Sequence, residues 1–221
     1  MDWRDNFTWP TRQTPYITFW KYVERALFWP LYTVQWLDPE NLPAAGPCIL
    51  ASNHISNFDS IVLWSRLPRR HIYFMAKIEL FTPPIQRQLL ARSGAFPVKR
   101  GESDEWALAQ AGRVLAAGQM LGMFPEGTRS RNGRLQQGKL GAVKLALQHR
   151  VPLIPAAIQN TEQIRPGRGR VAVSVQIGRH LDITAIAGPP PHPETEFESL
   201  TTTLMRQIAT MLPPNQRGRY G

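Results

Sequence analysis

The chain has 221 residues, 43% of them hydrophobic, enough for one sizeable domain. Its formal net charge of +10 at pH 7 favours polyanions: nucleic acid, anionic lipid headgroups or phosphorylated substrates. A single cysteine, Cys48, excludes an internal disulfide, and five dispersed histidines with that lone cysteine do not suit a metal centre, so no metal is expected.

The amino-terminal residues mix charges without an apolar core behind them, so no signal peptide is expected, and no run of 18 apolar residues predicts a transmembrane helix. Five of the seven tryptophans nevertheless fall in the first 36 residues: Trp3, Trp9, Trp20, Trp29 and Trp36. At about 100° per residue, Phe19, Trp20, Val23, Ala26, Leu27, Leu31 and Val34 share one broad face, with Lys21, Glu24 and Arg25 opposite. Pro30 should divide residues 15–37 into two short helices. Two arrangements fit this pattern: the apolar face lies in a membrane interface, where Trp and Tyr are favoured, or it packs on the domain. The concentration of aromatics favours the membrane, with residues 1–37 as an interfacial helical arm and 38–221 as the main domain.

Beyond a proline-rich loop, apolar runs predict strands at 48–52, 71–75, 95–98, 120–124, 153–158 and 171–177. Helices are predicted at 59–67, 84–92, from a Ser103 N-cap to about 117, at 139–149 and at 196–212, ahead of a frayed basic tail. This alternation argues an α/β fold: a mixed sheet flanked by helices.

His54 and Asp59 lie where the first of those strands gives way to a helix. On a continuous helix their side chains would diverge by roughly 140°. They meet only if His54 lies in the turn and Asp59 in the first helical turn, where a carboxylate also complements the helix dipole. Asp59 would then fix the imidazole tautomer and leave the other ring nitrogen as a base. The plainer alternative is that Asp59 caps a helix and His54 fills a turn. No Gly-x-Ser-x-Gly occurs, so nothing supports a serine nucleophile.

Four blocks occur in order: Asn53-His54-x4-Asp59, Gly94-x-Phe96-x-Val98-x-Arg100, Phe124-Pro125-Glu126-Gly127-Thr128-Arg129-Ser130 and Val151-Pro152-x-x-Pro155. This set resembles the glycerolipid acyltransferase superfamily, specifically the 1-acylglycerol-3-phosphate acyltransferases, from about residue 42 to residue 177. The resemblance implies acyl transfer from acyl-CoA or acyl carrier protein to the sn-2 hydroxyl of 1-acylglycerol 3-phosphate, with glycerol 3-phosphate or another lysophospholipid as the alternative acceptor, and with no cofactor beyond the thioester donor. It implies His54 and Asp59 as the catalytic pair, with substrate contacts from Lys77, Gly94, Arg100, Glu126, Gly127, Thr128 and Arg129.

The residue chemistry agrees. The guanidinium groups of Arg100 and Arg129 match phosphate oxygens, Gly127 allows close backbone approach, and Thr128 can donate a hydroxyl. Glu126 repels phosphate, so it is expected to orient an arginine or bind acceptor hydroxyls. Lys77 binds phosphate, stabilises an oxyanion, or is simply solvated. The Pro152/Pro155 block is read as structural, or as shaping an acyl channel. Where many members carry Phe-Lys-Lys-Gly, this chain has Gly138-Lys139-Leu140-Gly141, one lysine fewer. The expected partners are a lysophospholipid, an acyl thioester and an anionic membrane surface, with no nucleic acid. The expected location is the cytoplasmic face of the cell membrane, as a peripheral or monotopic protein.

Overall fold

Strand β2 (Cys48–Ser52) is buried at every position because helices cover both sides of it. Its side chains alternate: Ile49 and Ala51 enter one core cluster, Cys48 and Leu50 the other. The computed structural model describes residues 2–101, 104–187 and 190–221. Across its seven-stranded sheet the order is β1 (Tyr32–Leu37), β7 (Val171–Ile177), β6 (Leu153–Gln159), β2, β5 (Met120–Met123), β3 (Ile72–Lys77) and β4 (Ala95–Val98). Neighbours run parallel except β6 and β7.

One core cluster is closed by α4 (Glu105–Ala116), α5 (Gly141–His149) and α7 (Glu194–Thr210), through Val114, Val143 and Leu204 among others. The other is closed by α2 (Phe58–Arg66), through Val62 and Leu63. Helix α1 (Pro15–Phe28) packs on α2 from outside, while α3 (Pro84–Arg92) lies before β4 and α6 (Ile183–Ala187) contacts α5 and α7. The expected cap Ser103 lies outside the described residues; the N-cap of α4 is Asp104, whose carboxylate accepts from Ala107 N.

The amino-terminal stretch differs from the expected pair of helices. Thr14 caps α1 and Pro15 starts it, but beyond Pro30 the chain is strand β1, in parallel register with β7 from Tyr32↔Val171 to Leu37↔Gln176. The segment Tyr-Thr-Val-Gln-Trp-Leu is rich in β-formers, and an edge of the sheet is open to it. Residues 3–9 also join the domain: Trp9 is buried and stacks on Phe96 at 4.8 Å, and Phe7 meets Phe81 and Trp106 edge-on.

Helix α1 is amphipathic in the expected sense, with its polar side turned inwards. Lys21 and Glu24 are buried, Glu24 accepts from the Tyr32 hydroxyl, and Arg25 donates to Ser65 O through Nε and Nη2. Phe19, Tyr22, Leu27 and Trp29 are 59%, 64%, 67% and 59% exposed. No described helix is long and apolar enough to cross a membrane.

The tail does not fray. Tyr220 Oη accepts from Gly138 N, and Gln216 O accepts from Leu135 N, so the last residues hold the loop after β5.

Candidate active site

Strands β2, β5, β3 and β4 are adjacent and parallel, so the loops that leave their carboxyl ends open on one edge of the sheet. His54 follows β2, Phe124 to Arg129 follow β5, Lys77 ends β3 and Arg100 follows β4. Topology thus gathers at one rim groups that are dispersed in sequence.

His54 lies in the turn and Asp59 is the second residue of α2. His54 Nδ1 is 2.8 Å from Asp59 Oδ2, which also accepts from the backbone N–H of Ile55 at 2.7 Å and Ser56 at 2.8 Å. Asp59 Oδ1 accepts from the Thr161 hydroxyl. Four donors satisfy a carboxylate that is 0% exposed. Because an ionised carboxylate only accepts, Nδ1 carries the proton and Nε2 keeps its lone pair. The imidazole lies flat on Phe124, with centroids 4.0 Å apart and planes at 12°, which fixes its tilt.

Glu126 supports this histidine through its backbone. Its Oε1 accepts from His54 N at 2.7 Å and its Oε2 from Gln136 N at 2.9 Å, while Ser130 N donates to His54 O at 2.7 Å. The block after β5 therefore grips both polar groups of the His54 main chain. Glu126 was expected to hold an arginine or an acceptor hydroxyl; its oxygens instead hold two amides, and it is 3% exposed. Burial raises its pKa, only partly offset by those bonds.

A cavity of about 590 Å³ opens beside His54. Ile61, Trp64, Phe74, Leu80 and Leu90 give it apolar walls, and Lys77, Arg100 and Arg129 give it positive charge. Gly94 also lines it at φ +84°; a Cβ there would come within 2.8 Å of the Tyr73 ring. Of the residues read from sequence, His54, Lys77, Gly94, Arg100 and Arg129 line the cavity, whereas Asp59, Glu126, Gly127 and Thr128 do not. Gly127 is at φ +74°, and a Cβ on it would come within 2.9 Å of Lys139 Cε. Pro152 and Pro155 do not line the cavity either: Pro155 lies in β6, on the other side of β2. Cys48 is a buried core residue whose thiol is pushed up to about 11 by burial, against the charge of Arg70.

Three contributors are given no role by the sequence reading, although two of them stand in its motifs. Thr161 lies 102 positions from Asp59 and reaches it because β6 is next to β2. Lys139 comes to lie over Gly127. Asn53 works as a sheet extension, its amide donating to Ile158 O at 2.9 Å and accepting from Ile158 N at 2.8 Å. Asn53 stands beside His54 in its block, which was a usable signal; Thr161 carried none.

Residues 33–159 match the family model described as Acyltransferase. A chloroplastic 1-acyl-sn-glycerol-3-phosphate acyltransferase of Brassica napus is 33% identical over 141 residues, 62% of this chain and 40% of that protein. The human 1-acyl-sn-glycerol-3-phosphate acyltransferase beta is 30% identical over 190 residues, 82% of this chain and 67% of that protein. The chain thus spans well under half of the first relative and two thirds of the second. The crystal structure of the 1-acyl-sn-glycerophosphate acyltransferase of Thermotoga maritima has the same fold, with a TM-score of 0.67 at 24% identity over 88% of this chain and 78% of that one. By the family match and the human relative, this chain belongs to the Acyltransferase family.

Proposed function

We propose that the chain is a 1-acylglycerol-3-phosphate O-acyltransferase, which moves an acyl group from acyl-CoA or acyl carrier protein to the sn-2 hydroxyl and yields phosphatidic acid. The observation that carries this reading is the His54–Asp59 pair at the edge of a cavity that combines apolar walls with three cations. An acyl chain suits the walls and a phosphate suits Arg100 and Arg129.

In the reaction, His54 Nε2 takes the proton of the acceptor hydroxyl as the oxygen attacks the thioester carbonyl. Asp59 stabilises the imidazolium that forms. A C–O bond is made, the tetrahedral oxyanion collapses, the C–S bond breaks, and the imidazolium returns its proton to the leaving thiolate. No acyl-enzyme and no cofactor are required. Lys77, at the end of β3, offers positive charge to the oxyanion or the phosphate.

The acceptor resides in a membrane, and the outward apolar face of α1 suits a bilayer interface. Arg170 lies over the Trp29 ring at 4.3 Å, and Arg165 and Arg168 are exposed on the same loop, so the apolar face has a basic border. That combination favours the anionic cytoplasmic leaflet, with the protein peripheral or monotopic.

The test is an assay of purified protein against lysophospholipids and glycerol 3-phosphate, with each thioester donor. 1-Acylglycerol 3-phosphate should be the best acceptor; a preference for glycerol 3-phosphate would replace the reading. His54→Ala should lower kcat by about 10²- to 10⁴-fold with the circular dichroism spectrum unchanged. Retention of more than about a tenth of kcat would remove His54 as the base.

A further inference from the structure

Arg4 is 4% exposed, and its guanidinium is shared between two carboxylates. Its Nη1 donates to Asp104 Oδ2 at 2.5 Å, and its Nε and Nη2 donate to Asp2 Oδ2 at 2.9 and 2.7 Å. The guanidinium carbon lies 4.9 Å from the centroid of Trp106. A cation this desolvated is tolerated only when paired, and an apolar side chain could fill the same space without that cost. The pairing outweighs that desolvation, and the carboxylate it holds leaves room for a second role.

Asp104 supplies one. The oxygen that accepts from Arg4 also accepts from the backbone N–H of Lys99 at 2.7 Å, while its other oxygen caps α4 through Ala107 N at 3.2 Å. Lys99 Nζ reaches Asp2 Oδ2 at 3.2 Å. Arg100, the next residue, lines the cavity. Burial raises the pKa of the Asp104 carboxyl, but its bonds to Arg4, Lys99 and Ala107 outweigh that and keep it ionised. The amino-terminal end of the clamp is itself anchored, because Phe7 and Trp9 are packed among Phe81, Phe96 and Trp106.

We propose that Arg4 is a positioning residue for Arg100: through Asp104 it holds the Lys99 amide, and so sets the backbone from which Arg100 meets the acceptor phosphate. This rests on the assignment of Arg100 to the phosphate given above. Arg4 does not line the cavity, so its effect is on placement. Loss of Arg4 releases one side of the clamp and leaves Asp104 its two backbone amides.

The experiment uses the full chain, one thioester donor and two acceptors in detergent micelles: 1-acylglycerol 3-phosphate and the neutral 1-monoacylglycerol. Arg4→Met should raise KM for the phosphorylated acceptor by about ten- to a hundredfold, up to the cost of a misplacement of about 1 Å, and leave the donor KM and the rate on the neutral acceptor nearly unchanged. Arg4→Lys should recover part of the loss. On an Arg100→Ala background, Arg4→Met should add nothing further. Equal losses on both acceptors, or an undiminished Arg4→Met effect on that background, would show a structural role only and overturn the proposal. If Arg100→Ala leaves KM for the phosphorylated acceptor unchanged, the phosphate assignment fails first, a result distinct from an inert Arg4→Met beside a sensitive Arg100→Ala. If Arg4→Met does not fold, Arg4→Met/Asp104→Asn, which removes both charges together, is read against the same criteria.

Discussion

Two aromatic stretches stand side by side at the start of the chain, and the structure uses them in opposite ways. In residues 3–9, Trp9 is 7% exposed and stacked on Phe96, and its indole N–H donates to Gln110. In α1, Phe19 and Tyr22 are 59% and 64% exposed, and the charged side of the helix faces the protein. Both stretches are rich in aromatic residues, Trp3, Phe7 and Trp9 in one and Tyr16, Phe19, Trp20, Tyr22 and Phe28 in the other; what separates them is which side chains lie on the face that the polar contacts draw inwards. Arg4 finds Asp104 inside the fold. Arg25 and Glu24 find Ser65 O and the Tyr32 hydroxyl, so α1 docks by the side that carries them together with the buried Ile17, and Phe19, Leu27 and Trp29 are left outside. Aromatic content marks a segment that needs an apolar neighbour, and the polar contacts that orient the segment decide which of its aromatic side chains face the core.

The largest effect that would break this contrast is on the inward stretch. Trp9→Ala should destabilise the fold by about 3–5 kcal/mol, the usual cost of emptying a buried aromatic site, as read by urea denaturation. It should leave vesicle affinity of the folded fraction unchanged. A loss below about 1 kcal/mol would mean that residues 3–9 are not part of the core.

The outward stretch should behave in the reverse manner. Phe19→Ser, Tyr22→Ser, Leu27→Ser and Trp29→Ser combined should reduce binding to anionic vesicles by about a hundredfold, close to 2.7 kcal/mol, with little change in denaturation midpoint. Activity on bilayer substrate should fall more than activity on short, soluble acceptors. Undiminished vesicle binding by the folded variant would refute docking through α1. Removal of the whole amino-terminal stretch would not separate these roles, because it also takes away Trp9 and strand β1.

The smallest effect concerns the ground beneath α1. His71 is 3% exposed, and burial, together with the charge of Lys21 on the inner face of the helix, lowers its pKa from 6.5 to about 3. The unfolded chain binds a proton at this residue below about pH 6.5 and the folded protein does not, so stability falls as pH drops from 6.5 towards 3. Between pH 7 and 5 this one group should cost on the order of 2 kcal/mol. His71→Leu should flatten that part of the stability profile; an unchanged acid slope would mean that His71 protonates within the fold.

The local pattern was legible wherever one element determines itself. Strands 48–52, 95–98 and 171–177 and helix 84–92 coincide with the observed elements, because apolar runs and turn residues bound them. The placement of His54 in a turn and Asp59 in the first turn of a helix followed from five-residue spacing alone, since no other backbone lets them meet. Residues 32–37 were not legible as a strand: their pairing depends on β7, more than 130 positions away. Nor was the grip of Glu126 on the His54 amide, which needs β2 and β5 to be neighbours.

The chain by itself determined the chemistry available: a histidine and carboxylate that can meet, cations, and a helix with two unlike faces. Only the tertiary structure decided which groups share a cavity, because parallel strand order brings the ends of β2, β5, β3 and β4 to one rim. It alone decided which way α1 faces, because the partners of Lys21, Glu24 and Arg25 lie on other elements: Trp64, Tyr32 and Ser65. Side-chain periodicity is a property of one segment; burial and pairing are properties of two.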